Sequence, residues 1–153
     1  MGRPRRRSSR CRRRRGCPAG GRRRNHYSSG AYAFAFGHAH ADDTDGRFTS
    51  ACGPTTGAQS PKTHMWFHLV GVFDADTQQL RLYVNDDLAD TASYDGTLWN
   101  ATGPLQIGRR IFQGAYGEYA AGKVADVQLF TEALTPGGVA SLGRNRPVST
   151  QLS

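Results

Sequence analysis

The stretch that decides the fold runs from Trp66 to Arg109 and contains three apolar runs, WFHLVGVFD at 66–74, LRLYVN at 80–85 and WNATGPLQIGR at 99–109. These runs are rich in Val, Leu and aromatic residues, and clusters of Asp, Gly, Pro and Asn separate them. Short apolar runs separated by clusters of this kind are typical of antiparallel strands. The sequence therefore predicts an all-β domain.

The same runs carry a family resemblance, because they match W-x-H-[LV]-x-G-[VT]-[YF]-D, L-x-L-Y-V-N-G and W-N-x-x-G-P-L-Q-I-G-R in this order, with Asp86 in place of the second motif's Gly. A later section, YAAGKVADVQLFTEALTP at 119–136, is similar to a closing strand and a short final helix. Over roughly residues 28 to 145 the chain resembles the laminin-G-like jelly-roll domain of the concanavalin A-like lectin/glucanase superfamily, in its actinobacterial type. The resemblance implies an antiparallel jelly-roll β-sandwich with a short C-terminal helix, and an extracellular or cell-surface location.

The resemblance also implies packing or turn roles for the residues that the motifs fix. These are Trp66, His68, Gly71, Asp74, Tyr83, Asn85, Trp99, Gly103, Pro104, Gly108, Arg109 and Asp126.

Charge is unevenly distributed along the chain. The formal net charge is +8, but residues 1–24 hold 12 of the 20 Lys and Arg and no Asp or Glu, so the remainder has 8 basic against 12 acidic residues. We expect residues 1–27 to be a disordered Arg-rich leader, since it has too little apolar surface to offset ordering entropy. We interpret this leader either as the product of a wrongly assigned start codon or as an arm that binds nucleic acid non-specifically. Residues 28–147 are predicted as the domain, without its N-terminal strands, and 148–153 as a tail.

Neither a secretory signal nor a membrane span is predicted in the sequence as given. No apolar h-region follows the arginines, and no run of ~18 apolar residues occurs. The chain has three cysteines, Cys11, Cys17 and Cys52. Because only one lies in the domain, the count argues against a disulfide framework and predicts Cys52 as a small loop or core residue.

Alternating side chains predict the individual strands. We expect strands at 31–36, after Arg47, at 64–74 with both faces buried, at 80–84 with the leucines inward, at 88–92, at 99–109 and at 123–130. Asn85-Asp86 predicts a type I′ turn, weaker than the Asn-Gly turn that the family usually has. Thr135 and Pro136 predict the start of a short helix as N-cap and first residue.

Catalysis is not expected. The glucanases of this fold need two carboxylates close together on one strand. The only glutamates are Glu118 and Glu132, which lie in separate segments with no acidic residue two positions away. The sequence therefore predicts a protein that is not an enzyme.

Two groups of residues suggest metal binding. Asp42, Asp43 and Asp45, and next Asp74 and Asp76, are oxygen donors of the kind that calcium takes from loops, although Asp-rich turns also occur without metal. His38 and His40 share one face of a strand, as a transition-metal pair would, but no third ligand with fixed spacing follows, which favours a solvated strand end. Calcium is therefore an optional cofactor of the predicted site.

Ligand contacts are predicted in the loops. Aromatic and charged side chains there would suit carbohydrate, although aromatics in strand-rich segments are more often core. The candidates are Tyr94, Arg110, Phe112, Tyr116 and Glu118. The sequence predicts a binding or adhesion module for carbohydrate or extracellular protein, with no membrane partner. The alternatives are an accessory fragment of a larger secreted carbohydrate-active enzyme and a nucleic-acid binder acting through the leader.

Overall fold

The computed structural model describes residues 33–41, 48–112, 114–117 and 119–144, with the backbone alone at 110–112. Within these ranges, seven strands form three antiparallel sheets, β1–β2, β3–β4–β5 and β6–β7, and one helix follows. The bounds are β1 Ala35–Ala39, β2 Phe48–Cys52, β3 Leu69–Asp74, β4 Gln79–Val84, β5 Asp87–Ser93, β6 Arg110–Phe112, β7 Ala115–Gly117 and α1 Pro136–Arg144. No helix among these residues is long and apolar enough to cross a membrane.

One face of the β3–β4–β5 sheet packs on the β1–β2 hairpin. Leu80, Leu82 and Val84 alternate along β4, are buried, and form one cluster with Ala51 of β2. Phe34 and Phe36, from the start of the first hairpin, pack against this cluster. Two antiparallel layers that share a core make an all-β sandwich, as predicted, and the β4 leucines point inward as expected.

On the opposite face of the same sheet, α1 packs through one buried residue, Val139. Val72 and Tyr83 are buried there with Val139 of the helix, and Val70 and Leu134 pack against them. The helix begins as predicted, since the amide of Gly138 donates to Oγ1 of Thr135 at 3.1 Å. A side-chain oxygen at the N-cap satisfies an amide that has no partner within the helix.

The β4–β5 turn has the predicted type I′ character. Asn85 and Asp86 have φ of 52° and 73°. His68 secures the turn: its amide donates to Asn85 Oδ1 at 3.0 Å, its carbonyl accepts from the amide of Asn85 at 2.8 Å, and its Nδ1 lies 2.8 Å from Asp86 Oδ1. Asp therefore tolerates the position where the family has Gly by gaining a side-chain partner.

Several expectations about strands are wrong. Residues 99–109 and 123–130 have strand-like composition but form irregular backbone in the structure. A strand persists only when a neighbour supplies its hydrogen bonds, and positive φ at Gly108 (72°) and Asp126 (52°) also breaks the extended path. The central strand starts at Leu69, and Trp66 is 55% exposed, so the stretch is not buried on both faces along its whole length.

Cys52 is disulfide-bonded, contrary to the expectation from the cysteine count. The other two cysteines, Cys11 and Cys17, lie outside the described residues, as do the leader, Tyr32 and the tail. The number of cysteines in the domain did not predict this bond, because sequence position does not show which thiols come together in space.

Candidate functional site

The candidate site is built on the β6–β7 hairpin and the turn before it. Residues 110–112 pair with 115–117, with Ile111 opposite Tyr116. This pairing brings Tyr116 beneath Arg109, whose guanidinium carbon lies 3.8 Å from the centre of the tyrosine ring. Nε of Arg109 donates to Gln106 Oε1 at 2.9 Å, and Nε2 of Gln106 donates to the carbonyl of Pro104 at 3.2 Å. We call Gln106, Arg109 and Tyr116 the hairpin surface.

The side chains of the hairpin surface are open to solvent. A guanidinium over an exposed ring is stabilised by about 0.5–1 kcal/mol, and the Nε bond adds an orientation constraint. The terminal amino groups of Arg109 have no hydrogen-bond partner among the described residues. Tyr116 is 46% exposed. The arrangement can therefore offer an aromatic edge and a fork of donors to a ligand.

A second tyrosine lies beside this surface. The amide of Ala120 donates to the carbonyl of Gly108 at 2.7 Å. This hydrogen bond places the backbone at residues 119–120 beside the backbone at residues 108–109. Tyr119 is 68% exposed, and no aromatic or cationic stacking partner is found for its ring among the described residues. It therefore differs from Tyr116 in lacking a guanidinium partner.

Tyr94 lies in the core and is not part of this surface. It is 3% exposed, and its ring lies 4.7–5.5 Å from the rings of His38, His40 and Phe73. Its hydroxyl lies within hydrogen-bond distance of the carbonyls of Ala39 and Thr97, at 3.1 and 3.2 Å. No exposed face is left on which a sugar could stack, so the structure contradicts a ligand role for Tyr94.

His38 and His40 have packing roles around that tyrosine. Both rings flank Tyr94, although β1 ends at Ala39 and His40 lies just beyond it. Nε2 of His40 lies 2.8 Å from Thr49 Oγ1 and 3.3 Å from Asp95 Oδ1. A hydrolytic relay needs the hydroxyl and the carboxylate on different ring nitrogens. Because both partners meet the same nitrogen here, this group does not form one.

The Asp74 carboxylate is used within its own turn. Its Oδ1 accepts from the amide of Thr77 and its Oδ2 from Nη2 of Arg81, each at 3.1 Å. The hydrogen bonds from Thr77 hold the pKa of Asp74 below its ordinary value of 3.8, and the nearby Arg81 charge adds to this effect. Both oxygens are therefore already engaged, which is the turn role that the sequence left as the alternative to calcium.

An open cleft of about 420 Å³ lies beside this turn. Asp76 and Glu132 line it together with Asp74, Phe73, Ala75, Thr131 and Ala133. In the part of the chain that the structure describes, no group of three or more His, Cys, Asp or Glu side chains could hold a metal ion. Calcium binding at Asp74 and Asp76 stays a prediction.

Other predicted site residues lie outside the part of the chain that the structure describes. Asp42, Asp43, Asp45 and Glu118 fall outside the described ranges, and of Arg110 and Phe112 the backbone alone is described, in β6. Of the predicted ligand residues, Tyr116 is the one that the structure places on an exposed surface. Gln106 was missed and Arg109 was assigned a packing role, because only the hairpin pairing brings residues 106, 109 and 116 together.

The fold and this site together define a β-sandwich whose exposed aromatic and charged side chains are carried by turns and a hairpin. Residues 17–140 match a laminin G family model described as the concanavalin A-like lectin/glucanases superfamily, and the chain belongs to this family. Domains of the laminin G type are typically non-catalytic binding modules, although the superfamily includes glucanases.

No curated protein matches the chain. The chain is similar to the crystal structure of an S-layer domain-containing protein (residues 221–444) from Clostridium thermocellum ATCC 27405, at 12% identity and a TM-score of 0.48. The match covers 75% of this chain and 64% of that one.

Proposed function

We propose that this protein is a non-catalytic binding or adhesion module that acts outside the cell or at its surface and recognises carbohydrate through the hairpin surface. The observation that carries the proposal is the Arg109 guanidinium held over the exposed Tyr116 ring. Family membership supports the coarser part, a binding or adhesion role, and the hairpin surface supports the choice of carbohydrate.

The chemistry of the hairpin surface suits a sugar. Sugar rings present apolar C–H groups, which pack on an aromatic ring, and hydroxyls, which accept hydrogen bonds from a guanidinium. Arg109 is already oriented by Tyr116 and by Gln106. Little side-chain entropy is then lost when a ligand binds, and the affinity per contact rises accordingly.

A binding role also accords with the chemistry of the other polar clusters. The Thr49, His40 and Asp95 group lacks relay geometry, and Asp74 is occupied by Thr77 and Arg81. Neither cluster supports a hydrolytic mechanism.

Glycan-array screening of the full chain, followed by calorimetry on a bound glycan, tests the proposal. Y116A removes the ring, and R109K keeps the charge but removes the planar fork. Each should weaken binding about tenfold, a loss of about 1.4 kcal/mol. Y119A, which removes an exposed tyrosine without a guanidinium partner, is the matched control and should change affinity less than twofold. Absence of any bound glycan, or equal losses for Y119A and Y116A, would overturn the proposal.

Calcium assistance is a separate part of the proposal and rests on Asp42, Asp43 and Asp45, whose carboxylates are of the type that calcium takes from loops. Titration of calcium into the full chain should raise the melting temperature, and D43N should reduce that rise, while D76N serves as the control. An unchanged melting temperature at millimolar calcium would remove calcium from the function and leave the hairpin surface unaffected.

A further inference from the structure

Arg109 carries a positive charge that no carboxylate pairs with among the residues that the structure describes. Its side chain has two contacts, the hydrogen bond from Nε to Gln106 Oε1 at 2.9 Å and the ring of Tyr116 beneath the guanidinium. A glutamine amide and a tyrosine ring leave the charge of the guanidinium in place. Arg81, by contrast, donates from Nη2 to the Asp74 carboxylate at 3.1 Å. The charge of Arg109 is therefore available to a ligand.

The donors that remain on Arg109 lie on the terminal nitrogens of its guanidinium. Nε uses its N–H group on Gln106, and a contact with the face of an aromatic ring consumes no hydrogen-bond donor. The N–H groups of the terminal nitrogens have no hydrogen-bond partner within the described ranges. Parallel N–H groups on a planar guanidinium match the two oxygens of a carboxylate. The open edge of Arg109 is therefore suited to an acidic group.

We infer that the sugar recognised by the hairpin surface is acidic, and that a carboxylate on its ring binds the terminal nitrogens of Arg109 through paired hydrogen bonds. This inference rests on the proposed function, because it names the class of carbohydrate that the same surface takes. An arginine binds a carboxylate more strongly than a neutral hydroxyl, since both hydrogen bonds are then charge-assisted. The ligand class is a saccharide that contains a uronic acid residue.

The position of Tyr116 favours a carboxylate that is bonded directly to the sugar ring. The guanidinium carbon of Arg109 lies 3.8 Å from the centre of the tyrosine ring, so a group held by Arg109 is also close to Tyr116. In a uronic acid residue, a single bond joins the carboxylate to the pyranose ring. One sugar residue can therefore bind the guanidinium and place its C–H groups against the exposed part of the tyrosine ring.

The charge of the chain outside this surface decides how the inference has to be tested. Residues 25–153 have 8 basic and 12 acidic residues, a net charge of −4, so they do not attract anions in general. Residues 1–24 hold 12 Lys and Arg and no Asp or Glu, and a long polyanion would bind them without selectivity. A short saccharide with one carboxylate gains no such multivalent advantage, and it therefore reports on the local contact at Arg109.

NMR titration of the full chain with matched disaccharides tests the inference. We would use three pairs, glucuronate with glucose, galacturonate with galactose, and mannuronate with mannose at the same position. The members of each pair have the same linkage and differ in a carboxylate in place of one hydroxymethyl group. In at least one pair the wild type should bind the acid about tenfold more tightly than the neutral sugar, which corresponds to about 1.4 kcal/mol.

R109Q should abolish this preference, because it removes the charge and keeps a polar side chain. The ratio of the two affinities should fall to about one in R109Q, since the amide treats a carboxylate and a hydroxyl alike. This ratio is measured within one protein and does not depend on the fraction that is folded. R144Q is the matched control. Arg144 lies in α1, and its Nη2 donates to Ser141 Oγ at 3.1 Å, so R144Q should change the ratio less than about twofold.

The inference is overturned if the neutral sugar binds as tightly as the acid in every pair, if R109Q keeps the preference, or if R144Q loses it. Equal binding of acid and neutral sugars that Y116A weakens would overturn the acidic class alone and leave the proposed carbohydrate recognition standing. Absence of binding by every disaccharide and every glycan of the array would overturn both. The two failures are therefore distinguishable.

Discussion

Replacement of Tyr94 distinguishes a packing role of this residue from a ligand-binding role. The sequence allowed Tyr94 and Tyr116 equally as ligand residues, but the structure gives them 3% and 46% exposure. We therefore expect Y94A to unfold the protein at lower denaturant without a specific effect on ligand affinity, and Y116A to do the reverse.

The size of the effect follows from the surroundings of the ring. Truncation of a buried aromatic residue to Ala costs about 3–5 kcal/mol, a large share of the about 5–15 kcal/mol that stabilises a typical domain. Y94F removes only the hydroxyl, and the net value of one hydrogen bond is about 0.5–1.5 kcal/mol. The carbonyl of Ala39 keeps its bond from Trp99 Nε1 at 2.9 Å, so the loss should fall near the lower end of that range.

Urea unfolding followed by far-ultraviolet circular dichroism measures these differences as changes in the free energy of unfolding. The expected order is wild type, then Y94F, then Y94A, with Y116A close to the wild type. A Y94A protein less than about 1.5 kcal/mol below the wild type, well under the range for a buried aromatic, would refute the assignment of Tyr94 to the core. A Y94F loss above about 2 kcal/mol would refute the argument that Ala39 keeps a partner.

Two further changes test α1 and the turn after β3. A methyl group on Gly137 would meet only Oγ1 of Thr135, at the ordinary van der Waals distance of 3.9 Å, whereas one on Gly143 would fall on the Asp86 carboxylate. G137A should therefore stabilise by about 0.5–1 kcal/mol, and G143A should destabilise in the same urea assay. If both substitutions stabilise, Gly143 does not lie against the Asp86 carboxylate. Because Thr77 lowers the pKa of Asp74 in the folded state, the stability from this carboxylate is present above pH about 4 and is lost as the pH falls through the lowered pKa. D74N should therefore flatten the acid side of the melting-temperature profile between about pH 2 and pH 6, and an unchanged slope would exclude the contribution.

Local sequence determined the parts of this protein whose partners are near in the chain. The β3–β4–β5 meander follows from alternation in Leu80–Val84 and from the left-handed tolerance of Asn85 and Asp86, and the start of α1 follows from Thr135 and Pro136. In each case the hydrogen bonds and side-chain faces are set by residues a few positions apart.

Tertiary structure decided the rest, because proximity between distant residues is not encoded in any short pattern. Tyr94 and Tyr116 are both tyrosines in turn-rich sequence, and only packing against His38 and Phe73 buries one of them. Strand composition at 123–130 does not make a strand without a neighbour to pair with. The sequence alone determined the family and the strands of the central sheet, and the three-dimensional arrangement determined which tyrosine is exposed and which strand-like segments stay unpaired among the described residues.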